Sequence, residues 1–214
     1  MMTRALLVII GYCLGLIQTG YLYGKMKGID IRQQGSGNSG ATNSLRVLGK
    51  KAGLIVFAVD LCKCWIPCMI VRAWAVHTGQ QHMEDIYMLY LAIGVILGHN
   101  YPCYLNFKGG KGISSTAGFI LAFDLRITAV CLSIFTIVVF VTRYVSLGSL
   151  IVVTICFAMG TILGINGMLS VQPAQLAELI ILLAIIMIQA YIRHRTNIKR
   201  LINGTENKIG AKKK

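Results

Sequence analysis

Seven apolar runs constrain the fold of this chain more than any other feature. They cover residues 5–24, 52–76, 86–105, 112–123, 127–142, 146–168 and 173–192. A helix needs about 20 mostly apolar residues to cross the hydrocarbon core of a bilayer. Charged residues make up 13% of the 214, whereas soluble domains have about 25%. We therefore predict an all-α, polytopic membrane bundle that forms one domain over residues 1–214.

The fourth and fifth runs are short, so the number of spans has two readings. Seven transmembrane helices are predicted if both runs cross the membrane. Five full spans and one re-entrant hairpin are predicted if they do not, with Asp124, Leu125 and Arg126 as the polar turn between the two arms. The first run has no small-residue cleavage site after it, which indicates a retained helix rather than a removed signal peptide.

The basic residues predict the orientation of the bundle. The net charge is +14, and a basic chain can bind nucleic acid, but the long apolar runs indicate a membrane protein instead. With seven spans and the N-terminus outside, the inner segments 25–51, 106–111, 143–145 and 193–214 hold 17 of the 21 lysines and arginines. Cytoplasmic loops carry such an excess. We expect a cytoplasmic C-terminus, whose last residues A-K-K-K would also attract anionic lipids.

The first inner loop reads G-S-G-N-S-G and contains Gly35-x-Gly37-x-x-Gly40. This string matches a dinucleotide-binding fingerprint, but that motif requires a preceding strand, and here a membrane helix precedes it. Glycines and a helix N-terminus still suit an anion. We predict a short helix over 39–48, with Asn43 and Arg46 on one face. Ser36, Gly37 and Asn38 then lie at its positive end.

The second inner loop, F-K-G-G-K-G, places Lys108 and Lys111 around Gly109 and Gly110. Two ammonium groups, mobile backbone amides and the following helix N-terminus would form a compact anion cradle. The loop is not a Walker A motif, because glycine follows G-K. His99 and Asn100 stand at the inner end of the preceding span.

Two further inner segments carry polar residues. Ser146 fits the N-cap of the sixth run. The C-terminal segment predicts a helix that continues to Asn203 and stops at Gly204, with His194 and Asn197 on one face. This basic helix could also simply lie on the membrane surface.

Asp60 and Lys63 stand one turn apart within the second run, where charges often mark function; mutual neutralisation explains them equally well. The seven cysteines lie in or beside apolar runs without zinc-type spacing, which favours packing and predicts no metal site.

Four stretches resemble the PlsY family of bacterial membrane glycerol-3-phosphate acyltransferases. They are G-S-G-N-S-G-A-T-N-S-L-R, G-H-N-Y-P-x-x-L-x-F-K-G-G-K-G, R-Y-V-S-L-G-S and R-H-R-T-N-I-K-R-L-I-N-G-T-E-x-K-I-G. They occur in the family's order and on loops of the right sidedness, and the likeness spans nearly the whole chain. Two residues depart from the pattern: Ser39 replaces a usual proline, and Cys64 replaces the glycine of D-x-x-K-G.

The resemblance implies a reaction. The 1-hydroxyl of glycerol 3-phosphate attacks a fatty acyl phosphate, giving 1-acyl-glycerol 3-phosphate (lysophosphatidic acid) and phosphate, the first step of phospholipid synthesis at the cytoplasmic face of the bacterial cell (inner) membrane. No cofactor, metal or nucleic acid is expected. The expected partners are the two substrates, membrane lipids and the enzyme that produces acyl phosphate.

The resemblance and the residue chemistry together give candidate site residues. The catalytic candidates are Ser36, Arg46, Lys108, His194 and Asn197. The substrate-binding candidates are Gly37, Asn38, Asn43, His99, Asn100, Gly109, Gly110, Lys111 and Ser146. The general base stays open between His194 and the substrate's own phosphate, because the inner loops contain only Asp30 and Glu206 as carboxylates.

Two other functions are compatible with a basic inner face. A transporter for a phosphorylated metabolite would be expected to have inverted repeats and a matching outer site. A lipid-binding scaffold would explain the basic C-terminal segment but not the two glycine-rich loops.

Overall fold

A computed structural model describes residues 1–210, and the regular secondary structure within this range consists of helices alone. Ten α-helices in this range are joined by loops and short 3-10 turns. Their bounds are α1 Met2–Gly15, α2 Thr19–Met26, α3 Ala41–Leu48, α4 Lys50–His77, α5 Glu84–Asn100, α6 Ile113–Phe123, α7 Leu125–Thr142, α8 Val145–Ile165, α9 Leu176–Arg193 and α10 Arg195–Ile202. The predicted all-α class is confirmed; the lipid attraction expected of the terminal lysines concerns residues outside this range.

Six segments are long and apolar enough to cross a membrane. They are Met2–Met26, Lys50–His77, Gln81–Leu105, Leu125–Thr142, Val145–Ile165 and Pro173–Arg193. The predicted count of seven spanning helices is therefore not confirmed. The alternative of five spans and a hairpin does not describe the structure either, because α7 has 18 residues.

The helix that falls short is α6, which has 11 residues. At about 1.5 Å per residue it covers about 16 Å, against about 30 Å of hydrocarbon. Its end coincides with the predicted polar turn, where Asp124 accepts hydrogen bonds from the backbone N–H groups of Arg126 and Ile127 at 2.8 and 3.2 Å. This cap explains why α6 stops and α7 starts there.

Arg72 shows that α6 still reaches the far end of the bundle, away from the glycine-rich loops. Its guanidinium donates to the last carbonyls of α6, Ala122 at 2.7 Å and Phe123 at 3.0 Å. It also lies 3.3 Å from the carboxylate of Asp85, at the start of α5. The loop before α6 packs onto the other end of α5, where Gly110 and Gly112 are buried.

The centre of the bundle is α5, most of which is buried. Helix α1 packs against it at very short distance: a Cβ on Gly11 would lie 2.2 Å from the carbonyl oxygen of Leu91, and one on Gly94 would lie 2.3 Å from that of Val8. Small residues four apart allow such backbone contact between membrane helices. This contact fixes the register of α1 against α5, whose last residues His99 and Asn100 are predicted site residues.

The first apolar run is not one continuous helix, because α1 ends at Gly15 and α2 begins at Thr19. Gln18 fills the break; its buried amide donates to the carbonyl of His99 at 2.9 Å. The amide oxygen accepts from the hydroxyl of Ser39 at 3.2 Å. The serine that departs from the family pattern thus connects the first glycine-rich loop, through Gln18, to α5.

The second departure, Cys64, is fully buried in the core. The close approach of α4 and α6 occurs nearby at Gly118, where a Cβ would lie 2.2 Å from the carbonyl oxygen of Leu61. The glycine that makes this helix contact possible is therefore on α6.

Candidate active site

The two glycine-rich loops, the start of α8 and helix α10 meet around a cavity at one end of the bundle. Its empty volume is about 870 Å³, part of it open to solvent. Polar side chains from all of these segments line it: Ser36, Asn38, Asn43, Arg46, Asp60, His99, Lys111, Ser146, Ser149, His194, Asn197, Arg200 and Glu206. An apolar wall completes it, formed by Phe57, Ile113, Phe135 and Val145. We call it the first cavity.

A second cavity adjoins the first and is strongly cationic. It is lined by Asp30, Arg32, Ser36, Gly37, Asn38, Lys108, Gly109, Lys111, Arg193, Arg195 and Arg200, among others. Four residues line both cavities, namely Ser36, Asn38, Lys111 and Arg200. Asp30 is the one carboxylate in its lining, and its ion pair with Arg32 at 2.8 Å lowers the pKa of that carboxyl to about 2.

All but two of the predicted site residues line one of these cavities. The exceptions are Asn100 and Gly110. Asn100 is fully buried at the end of α5, and its side-chain nitrogen and oxygen both lack a partner among residues 1–210. Sequence reasoning thus selected residues from separate loops that the fold brings together.

Asn43 braces the first glycine loop from inside. Its Nδ2 donates to the carbonyls of Ile31, Gln34 and Asn38 at 2.9–3.2 Å, and its Oδ1 accepts from the N–H of Ser36 at 2.8 Å. Since all of its polar atoms are occupied, Asn43 shapes the loop and has no free donor for a ligand. The predicted helix is confirmed at α3, and Asn43 and Arg46 both face the first cavity.

The glycines of the second loop differ from the predicted cradle of mobile amides. The N–H of Gly109 donates to the carbonyl of Asn100 and that of Gly110 to the carbonyl of His99, at 3.2 and 3.0 Å. A Cβ on Gly110 would lie 2.0 Å from Nε2 of His99. The glycines therefore let the loop pack onto the end of α5, and their amides are not available to an anion.

Arg193 fixes this loop from the other side. Its guanidinium donates to the carbonyls of Gly109 and Gly110 at 2.7–3.0 Å and lies 5.0 Å from the ring centroid of Tyr101. Arg193 is the first residue of the basic C-terminal segment. These contacts show that it holds the second loop in place and is not only a surface charge.

A hydrogen-bonded chain connects the second loop to the C-terminal segment. Nζ of Lys111 donates to Oδ1 of Asn197, whose Nδ2 donates to Oε1 of Glu206 at 2.7 Å. The same carboxylate accepts from the hydroxyl of Ser146 at 3.1 Å and from Nε of Arg200 at 2.7 Å. Glu206 thereby joins side chains from α8 and α10 in one network.

Sequence reasoning missed Glu206 and Arg200 as site residues. The signal was present, because both lie in the C-terminal stretch that resembles the family and Glu206 is one of two carboxylates in the predicted inner segments. The predicted N-cap role of Ser146 is wrong: α8 begins at Val145 after Tyr144 as N-cap. Ser146 is turned toward Glu206 instead.

His194 occupies a break between α9 and α10, so the predicted continuous helix is interrupted there. Its Nδ1 lies 2.8 Å from the carbonyl oxygen of Ala190. A carbonyl only accepts, so Nδ1 carries the hydrogen and Nε2 keeps a lone pair. Burial, and then the charge of Lys111, lowers the pKa of His194 to about 4; the side chain is neutral at pH 7. The stop at Gly204 is confirmed, with φ +68°.

Lys111 occupies the junction of the cavities and carries a labile charge. Burial, followed by repulsion from Arg200, lowers its pKa to about 8. A group with this pKa is mostly protonated at pH 7 and loses its charge as the pH rises through 8. An anion bound beside it would stabilise the charged form.

A buried charge cluster lies below the first cavity. Nζ of Lys63 donates to Oδ1 of Asp60 at 2.8 Å and to the carbonyl of Ile17 at 2.7 Å. It also lies 2.8 Å from Nδ1 of His99, which must accept because an ammonium only donates. The two charges of α4 therefore neutralise each other and also orient a residue of the cavity wall.

The chain is similar to known proteins over nearly its whole length. Residues 5–204 match the family model described as glycerol-3-phosphate acyltransferase. The glycerol-3-phosphate acyltransferase of Clostridioides difficile (strain 630) is 41% identical over 97% of this chain and 96% of its own. That of Macrococcus caseolyticus (strain JCSC5402) is 40% identical over 99% of this chain and 100% of its own.

A solved structure has the same fold. It is a crystal structure of PlsY (YgiH), an integral membrane glycerol 3-phosphate acyltransferase, in the glycerol 3-phosphate form, with a TM-score of 0.82, 32% identity and coverage of 97% of this chain and 96% of that chain. The lysophosphatidic acid form of the same enzyme superposes with a TM-score of 0.79. Since sequence, fold and the convergence of the four motif stretches agree over nearly the full length, the chain belongs to the glycerol-3-phosphate acyltransferase family, the PlsY family of integral membrane enzymes.

Proposed function

We propose that this enzyme transfers a fatty acyl group from acyl phosphate to the 1-hydroxyl of glycerol 3-phosphate. The hydroxyl oxygen forms an ester bond to the acyl carbon, the bond from that carbon to the phosphate oxygen breaks, and inorganic phosphate leaves with the electron pair. The hydroxyl proton passes to a base. The other product is 1-acyl-glycerol 3-phosphate, which matches the lysophosphatidic acid form of the related PlsY structure.

The observation that carries this proposal is the pair of adjoining cavities, each lined by basic side chains, that share Lys111 and Arg200. Both substrates bear phosphate, and each needs its own cationic site. Glycerol 3-phosphate fits the first cavity, beside Arg46. The donor phosphate fits the second cavity, where Lys108 and the exposed hydroxyl of Ser36 lie. The reacting carbon then sits at the junction, where donors can stabilise a developing oxyanion.

The apolar wall of the first cavity supports a lipid-like donor. Phe57 on α4 and Phe135 on α7 line it; Phe57 is 43% exposed and belongs to a helix long and apolar enough to cross a membrane. An acyl chain can follow this wall into the bilayer while its phosphate stays at the polar end, so donor and acceptor meet without the chain crossing water.

The charge distribution supports a site that faces the cytoplasm of a bacterial cell, with the N-terminus outside. The cavities open at the end of the bundle that carries the basic segments, which hold 17 of 21 lysines and arginines. Exposed basic residues around the second cavity, such as Lys108 and Arg195, would also suit docking of the enzyme that supplies acyl phosphate.

The direct test uses purified protein, glycerol 3-phosphate and palmitoyl phosphate, with phosphate release and lysophosphatidic acid followed over time. We expect both products in equal amounts and only when both substrates are present. Phosphate release that does not depend on glycerol 3-phosphate, or transfer only from another acyl donor, would contradict the proposal.

Alkaline pH is expected to lower activity through Lys111. Its pKa of about 8 means that kcat/KM for glycerol 3-phosphate falls as the pH rises through 8, because the free enzyme then loses a charge that binds phosphate. Lys111→Arg should lack this alkaline limb, since arginine stays protonated. The measurement is a pH profile of both proteins; the same limb in both would assign it to another group.

Chelation is expected to leave the activity unchanged. In the proposed site the phosphates are bound by lysine and arginine side chains, and residues 1–210 contain no cluster of three or more histidine, cysteine, aspartate or glutamate side chains that could hold a metal ion. The measurement compares initial rates with and without excess chelator. Complete loss that one added metal restores would contradict this expectation.

A further inference from the structure

The first cavity has two carboxylates in its wall, and only one of them is fully hydrogen-bonded. Both oxygens of Glu206 accept hydrogen bonds within the network described above. Asp60 is 1% exposed, and its Oδ1 accepts from the hydroxyl of Thr19 at 3.0 Å and from Nζ of Lys63 at 2.8 Å. Its Oδ2 is buried and has no hydrogen-bond partner among residues 1–210.

A buried carboxylate oxygen without a donor is unfavourable, because it has lost water and gained nothing in return. Asp60 forms part of the cavity wall, so a ligand in the cavity can supply the missing donor. The ligand that the proposed function places there has a phosphate that only accepts and two hydroxyls that can donate. A hydroxyl is therefore the natural partner of Oδ2.

We propose that Oδ2 of Asp60 accepts a hydrogen bond from the 2-hydroxyl of glycerol 3-phosphate and selects acceptors that carry this group. The inference rests on the proposed function. The 1-hydroxyl must lie at the junction of the two cavities, near Lys111, to reach the acyl carbon. Asp60 lines only the first cavity, so the hydroxyl that meets it is the one that does not react.

The contacts around Asp60 hold its carboxylate in one orientation. Nζ of Lys63 is held at the same time by the carbonyl of Ile17 and by Nδ1 of His99, and the backbone carbonyl of Asp60 accepts from the hydroxyl of Ser115 at 3.0 Å. Since the carboxylate cannot turn away, an acceptor without the hydroxyl leaves Oδ2 unsatisfied, which is how a polar site rejects a deoxy analogue.

The test compares two acceptors with palmitoyl phosphate as donor. 3-Hydroxypropyl phosphate keeps the phosphate and the reacting hydroxyl of glycerol 3-phosphate but lacks the 2-hydroxyl. We expect the wild type to prefer glycerol 3-phosphate in kcat/KM by roughly 10- to 100-fold, the range of a hydrogen bond to a charged group. In Asp60→Asn the amide oxygen must face the donors Thr19 and Lys63, so the cavity receives Nδ2, and the preference should fall several-fold or more.

Thr19→Val is the matched control, because it removes a donor to Oδ1 and leaves Oδ2 unchanged; its preference should equal that of the wild type. Each preference is a ratio measured on one preparation, so the amount of folded protein cancels. Equal use of both acceptors by the wild type, or an unchanged preference in Asp60→Asn, would overturn the proposal and indicate a water molecule on Oδ2. Absence of transfer to glycerol 3-phosphate by the wild type would instead contradict the proposed function, and this assignment with it.

Discussion

Arg46→Ala and Lys108→Ala are each expected to lower kcat/KM for acyl transfer by at least ~100-fold, because each removes one donor from a site that must hold phosphates and a developing oxyanion. Arg46 lines the first cavity, and Lys108 is an exposed residue of the second. The ion pairs of residues 1–210 involve other basic side chains. Neither truncation therefore breaks an ion pair of the described fold.

The measurement is initial-rate kinetics on membranes that contain matched amounts of each variant. Lys51→Ala is the control, since Lys51 is an exposed residue at the start of α4 that lines neither cavity. It removes the same charge from the same end of the bundle, so its activity should stay close to that of the wild type. Substantial activity in well-expressed Arg46→Ala or Lys108→Ala would show that the corresponding cavity does not hold a reacting phosphate.

Sequence reasoning identified the cavity residues whose types are unusual beside membrane helices. Glycine-rich loops that carry lysine or arginine beside membrane helices have few other uses, so Ser36, Arg46 and Lys111 could be selected without coordinates. The fold class followed from the apolar runs alone. The 3.6-residue period also placed Asn43 and Arg46 on one face of α3, which the structure confirms.

The parts that it missed depend on packing between distant segments. Glu206 looks like a residue of a solvated tail until the chain turns back across α8 and α10, where its carboxylate meets Ser146 and Asn197. The amides of Gly109 and Gly110 looked free because nothing in a sequence shows that their loop returns to the end of α5.

The short length of α6 was predicted, since the fourth apolar run covers residues 112–123, but whether this helix crosses the membrane could not be predicted. Its 11 residues are too few for a full membrane crossing, and where the helix begins depends on the loop before it. That loop packs onto the end of α5, where Gly110 lies against the ring of His99, and this contact between two segments is not visible in the sequence. The hydropathy of a segment predicts the length of a helix, whereas the position at which the helix begins in the bundle depends on tertiary contacts.

His194→Ala is expected to lower kcat by roughly 100- to 10,000-fold, the range in which general acid–base catalysis contributes. The donation of Nδ1–H to Ala190 leaves Nε2 with a lone pair, and the lowered pKa keeps the ring neutral at pH 7. Initial rates at saturating substrate measure the loss. The control is Lys199→Ala, an exposed neighbour that lines neither cavity and should retain most of the activity.

The acidic limb of the pH profile separates the two candidates for the base. If His194 takes the hydroxyl proton, kcat/KM rises as the pH increases through about 4, the pKa that burial and Lys111 give this ring. Below that pH the ring is protonated and cannot act as a base. If the phosphate of glycerol 3-phosphate takes the proton, the limb follows its second ionisation, at about pH 6. His194→Ala should then keep a limb at about pH 6 despite its lower rate. A wild-type limb near pH 4 that disappears in the variant would show that His194 accepts the hydroxyl proton. The buried imidazole would then be the general base, and not only a hydrogen-bond acceptor for the attacking hydroxyl.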